Sequence, residues 1–147
     1  MATSLNAGQQ AGLYYLRRRN RCQQFIAQAT QWAPGLNVVA GDIVQNKLVP
    51  FTFVSVKNWI AILDKLEPLK PRFVVPDHGS LGDGSLIAQR RAFFEDLQKR
   101  ALELKKQGVP VEDAAKMVTA EFRAKYAGWE NMNALGNGVR RVYEESQ

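Results

Sequence analysis

This sequence predicts an α/β fold with a helical C-terminal extension, and two observations carry the expectation. Two short apolar runs rich in β-branched residues, "NVVAGD" at 37–42 and "RFVVP" at 72–76, flank one segment of helical apolar spacing. After residue 83 the apolar positions follow helical spacing. A strand, a helix and a strand joined by short connections form a βαβ unit, which favours a parallel pair with a right-handed crossover.

Residues 1–36 read as a divergent N-terminal segment rich in Gln, Ala and Arg. Leu13 and Leu16 are followed by a polar break before Phe25, Ile26 and Ala29, which predicts a frayed helix. From Asn37 the signals sharpen. The run "NVVAG" stops at Gly41-Asp42 and is expected to be a buried strand followed by a turn. A loop with Pro50 leads to "VKNWIAILDKLEPLKP", where Trp59, Ile62, Leu63 and Leu66 fall at helical spacing. Pro68 is expected to end that helix. The second strand, "RFVVP", runs into "DHGSLGDG", a glycine-rich turn.

Asp83 or Ser85 is expected to cap a long helix with Leu86, Ile87, Phe94, Leu97, Ala101 and Leu104 on its apolar face. Gly108 suits the C′ position of that helix, and Pro110 suits N1 of the next. The next helix should bury Val111, Ala114, Ala115, Val118 and Phe122, and a last one Met132, Leu135, Val139 and Val142. Two central strands buried on both faces need neighbours, and residues 1–36 offer few β-rich candidates. The sequence therefore reads as the later part of a larger fold.

Composition narrows the function classes. An apolar fraction of 46% and a charged fraction of 23% are ordinary for a globular protein. No apolar stretch reaches the roughly 20 residues that span a bilayer, so no membrane partner is expected. The net charge of +6 sits unevenly: the first 40 residues hold Arg17, Arg18, Arg19 and Arg21 and no acid. The remainder carries 16 basic against 14 acidic residues, which weighs against nucleic acid as a partner. The arginine cluster reads most simply as a solvated face, although organellar transit peptides share its acid-free composition. Cys22, the single cysteine, cannot form an internal disulfide, which points to a cytoplasmic protein. It has no histidine nearby in sequence to activate it as a nucleophile.

The residues that point to chemistry lie just beyond the two strands, where α/β proteins commonly bind ligands. They are Asp42 after "NVVAG" and His78 after "FVVPD". If the strands are parallel neighbours, both side chains emerge at one edge of the sheet, within reach of a shared ion. Carboxylate with imidazole suits zinc, iron or manganese. Gly41 and Gly79 would let the backbone turn sharply beside them. Each residue also has a plainer reading: a turn aspartate bonding its own backbone, and a strand-end histidine satisfied by backbone.

The pattern "VVAGDIVQN…P", followed after a helix by "FVVPDHGSLGD", resembles the closing motifs of the metallo-β-lactamase superfamily. The helical continuation from "LIAQRRAFFEDLQKRALELKKQG" to "VTAEFRAKYAGWE" is similar to the C-terminal extension of its hydrolase and cyclase-like members. The resemblance covers residues 37–145. It implies the C-terminal half of an αββα sandwich over 37–147, with a helical tail at about 83–145. It further implies that Asp42 matches the aspartate bridging two zinc ions and His78 a ligand of the second. Asp77 departs from the family pattern, where glycine is commoner, and is a candidate neighbour of the site together with Gly41 and Gly79. The family's His-x-His-x-Asp-His motif is absent, since His78 is the only histidine in the sequence. Catalytic zinc takes three protein ligands. The expectation is therefore a truncated portion of a zinc-dependent hydrolase, inactive by itself and of unknown substrate. A complementing N-terminal half, or a second copy in a homo-oligomer, would be its partner. The alternative expectation is a non-catalytic binding or assembly module of the same fold.

Overall fold

The computed structural model describes residues 37–53 and 55–146. The helix expected within 1–36, with Cys22 and the arginine cluster, lies outside the described residues. The fold is mixed α/β and mostly helical. Strand β1 (Asn37–Gly41) and strand β2 (Phe73–Pro76) form a two-stranded parallel sheet, with helix α1 (Val56–Leu66) between them in sequence. Three helices follow: α2 (Ser85–Lys106), α3 (Val111–Lys125) and α4 (Leu135–Glu145). The parallel pairing expected from the βαβ order is present.

Local chemistry explains where the elements begin and end. Ser55 caps α1, its hydroxyl accepting the Asn58 N–H at 3.1 Å. Pro68 falls in a single 3₁₀ turn (Glu67–Leu69) that closes the helix. The cap of α2 departs by a residue from the expectation. Gly84 holds the N-cap position, while the Asp83 carboxylate accepts the Ser85 N–H at 2.8 Å from just outside. Gly108, at φ +76°, ends α2 as expected: its N–H bonds Lys105 O, and Val109 N–H reaches back to Leu104 O. Pro110 is the N-cap of α3 rather than its first residue. With ψ at 143° it is extended, and its carbonyl already accepts the Asp113 and Ala114 N–H groups.

The core is built around α2. All six apolar positions read from its periodicity are buried, with Phe93 and Arg90 beside them. Phe93 and Phe94 point to two different aromatic groups. Phe94 meets Trp59 at 4.7 Å between ring centroids and Phe53 at 6.3 Å. Phe93 stacks on Trp129 at 4.6 Å and 16° and packs edge-on against Phe122 and Tyr126. Helix α2 thus joins the βαβ side of the molecule to the helical tail. Its partner α4 packs closely because Gly138 faces Phe53 and Leu97.

The segment after β1 is tied to the tail by backbone bonds. Val49 N–H donates to Glu130 O at 3.1 Å, and Glu130 N–H to Lys47 O at 2.9 Å. Beyond β2 the chain folds back, so that Val74 and Gly82 exchange a reciprocal pair of bonds at 2.7 and 3.2 Å. The turn at 77–82 is therefore pinned at both ends.

Candidate functional site at the ends of the two strands

The register pairs Asn37 with Phe73, Val38 with Val74 and Val39 with Val75, then slips so that Gly41 faces Pro76. This irregularity falls at the carboxyl end of the sheet, where a bulge re-aims the residues that follow. Gly41 takes φ +53°, a left-handed conformation suited to glycine, and the chain turns into Asp42. Asp77 N–H donates to Gly41 O at 3.3 Å, so the two strand ends leave the sheet side by side.

As a result Asp42 and His78 meet. His78 Nε2 lies 3.8 Å from Asp42 Oδ1, and the two side chains are 53% and 62% exposed. That separation is too long for a direct hydrogen bond. One ion bound by both atoms would hold them about 3.4 Å apart in tetrahedral geometry, given bonds of about 2.0–2.2 Å. The pair would have to close by about 0.4 Å to reach that arrangement. Asp77 is exposed at the same edge, its Oδ2 3.6 Å from where a Cβ on Gly41 would stand. Among the described residues no three His, Cys, Asp or Glu side chains converge as a metal-holding group. Two donors fall short of the three that a catalytic zinc takes, so the described residues do not by themselves fit a resident catalytic zinc ion.

The two loops bearing the pair are docked on one another. Asn46 N–H donates to His78 O at 3.4 Å, and Asn46 Nδ2 donates to Ser80 O at 3.0 Å. Gly79 allows this approach: it has φ +91°, and a Cβ there would stand 2.6 Å from Asn46 O. Phe51 presents its ring to the His78 imidazole at 5.9 Å and 69°. Phe51 and Leu81, the latter three residues after His78 in sequence, are two of the three large exposed hydrophobic side chains among the described residues.

Beneath Asp42 lie two residues that periodicity alone did not reveal. Gln45 and Arg90 are the only polar or charged residues buried among those described. Arg90 is 1% exposed and donates from Nη1 to Leu48 O at 2.6 Å and from Nη2 to Gln45 Oε1 at 3.1 Å. Gln45 Nε2 in turn donates to Asp42 Oδ1 at 3.0 Å. The Arg90 guanidinium lies 4.8 Å from the Phe94 ring centroid, with Phe93 and Trp59 also within 6 Å. Burial pushes its pKa down to about 9, against the attraction of the Asp42 charge, which raises it. The spacing along α2 is the one signal that could have singled out Arg90. Arg90 falls three residues after Ile87 and four before Phe94, on the apolar stripe.

No protein-family model matches this sequence, and no curated protein matches it. The likeness to the metallo-β-lactamase superfamily rests on the residues quoted above. Among the described residues, no helix is long and apolar enough to cross a membrane.

Proposed function

We propose that residues 37–147 are the C-terminal portion of a metallo-β-lactamase-type, zinc-dependent hydrolase fold, contributing two metal ligands, Asp42 and His78, and no complete catalytic centre. The observation that carries the reading is the 3.8 Å approach of a carboxylate and an imidazole at the carboxyl ends of two parallel strands. The left-handed glycines Gly41 and Gly79 support it, because they let both loops turn toward each other. In this reading the remaining ligands come from outside residues 37–147 and meet the pair at the same edge. Exposed Phe51, edge-on to His78, favours such a covering segment, since an apolar side chain at the rim of an incomplete site gains by being covered.

Zinc titration of the purified chain tests the proposal, with calorimetry for affinity and elemental analysis for stoichiometry. Weak binding that disappears in His78→Ala and in Asp42→Asn, without hydrolytic turnover, is the expected result. Hydrolysis by the isolated chain with stoichiometric zinc would overturn the claim of an incomplete centre. Zinc binding that His78→Ala leaves unchanged would remove the pair from the site.

A further inference from the structure

We propose that Arg90, acting through Gln45, is the positioning residue that sets the Asp42 carboxylate against His78. The three groups form one chain: Arg90 Nη2 to Gln45 Oε1 at 3.1 Å, then Gln45 Nε2 to Asp42 Oδ1 at 3.0 Å. The chemistry at its two ends dictates the orientation of the amide between them. A guanidinium has donors only, so it requires the amide oxygen; a carboxylate has acceptors only, so it requires the amide NH2. A flipped Gln45 would fail at both contacts. A neutral amide bridges the two charges where an acid would repel Asp42 and an amine would repel Arg90.

The anchor of this chain is rigid. Arg90 is held by α2, by the Leu48 carbonyl and by the rings of Phe94, Phe93 and Trp59. Among the described residues it pairs with no carboxylate, and the Asp42 charge attracts it from beyond Gln45. A buried guanidinium without a contacting carboxylate is costly to keep. Among the described residues its Nε has no hydrogen-bond partner, which adds to that cost. Set in this way, the helical core determines where an exposed carboxylate stands at the sheet edge. The proposal takes its site from the metal-edge reading above, but it depends on the geometry of the pair rather than on a metal.

His78 is the only histidine, so its ring resonances report on the pair without ambiguity. The decisive variant is Gln45→Glu. Its carboxylate still accepts from Arg90, but it turns an acceptor toward Asp42 in place of a donor. At fixed pH, the expected result is a folded protein whose His78 ring resonances move from their wild-type positions toward those of Asp42→Asn. Gln45→Asn, one methylene too short to span both partners, should move them in the same direction and serves if the acidic variant does not fold. Unmoved His78 resonances in a folded Gln45 variant would overturn the proposal. Adding zinc to the wild-type protein separates this result from the metal reading. Resonances that ignore zinc yet respond to Gln45→Glu would sink the metal edge and leave the positioning chain standing.

Discussion

The close packing of α4 on α2 makes a paired prediction, because two glycines on one helix have opposite surroundings. At Gly138 an added Cβ would stand 2.7 Å from the Phe53 ring and 2.8 Å from a Leu97 methyl. Carbon atoms in contact prefer about 3.5–4.0 Å, so the new methyl is roughly 0.7–1.3 Å too close. Neither neighbour has room to yield: Leu97 is fully buried, and Phe53 is wedged between Trp59 and Phe94. Overpacking of this kind costs about 1–3 kcal/mol, while replacing a helical glycine by alanine gains up to about 1 kcal/mol. Gly138→Ala should therefore be destabilised by about 0–3 kcal/mol. At Gly136 the nearest atoms to an added Cβ, on Ala115 and Arg140, both lie at 3.5 Å, an ordinary contact. Gly136→Ala should be neutral or stabilised by up to about 1 kcal/mol. At about 4 °C per kcal/mol for a domain of this size, thermal melts resolve the difference, and urea titration supplies the free energies. A Gly138→Ala protein melting at or above Gly136→Ala would refute the packing argument.

Two further outcomes are expected. Phe93 joins α2 to Trp129, Phe122 and Tyr126, so Phe93→Ala should cost about 3–5 kcal/mol and abolish cooperative near-ultraviolet dichroism before helical content is lost. Asp96 accepts from Tyr126 Oη and pairs with Lys125 Nζ at 2.7 Å. Burial raises its pKa, but the Lys125 and Tyr126 contacts outweigh that and hold it below the usual carboxylate value. A depressed folded pKa contributes stability that is present above about pH 4 and lost as pH falls through the folded value. The stabilities of wild type and Asp96→Asn, measured against pH, should converge on the acid side; a constant gap down to pH 2 would argue against the pairing.

Much of the helical tail was legible because its periodicity survives folding unchanged. The face Leu86, Ile87, Phe94, Leu97, Ala101 and Leu104 is buried as its spacing required, and so are Met132, Leu135, Val139 and Val142. The ends of α2 and α3 were legible to within a residue, whereas Met132, expected on the last helix, lies in a separate 3₁₀ turn (Met132–Ala134) before α4. Asp83 and Pro110 supply the expected cap chemistry from positions one step outside those assigned to them, because caps depend on local dihedrals that spacing does not specify. The placing of the candidate pair was legible in part. Asp42 and His78 were marked by their places after β-branched runs, and the parallel register brings them together. Asp77 shares their edge, but the described residues hold no three-ligand group there.

The sequence by itself determined the order of strand and helix, the buried stripes and the two glycine turns, since each depends on neighbours within a few positions. Only the tertiary structure decided that Arg90 is buried. An arginine on a helix ordinarily reads as solvated, and its partners Leu48 and Gln45 lie 42 and 45 residues away. The same holds for the 3.8 Å between Asp42 and His78, which depends on a register slip near Gly41 and on the approach of Gly79 to Asn46. Contacts between residues so far apart in sequence are set by packing the whole chain, where burial and donor–acceptor matching are satisfied together.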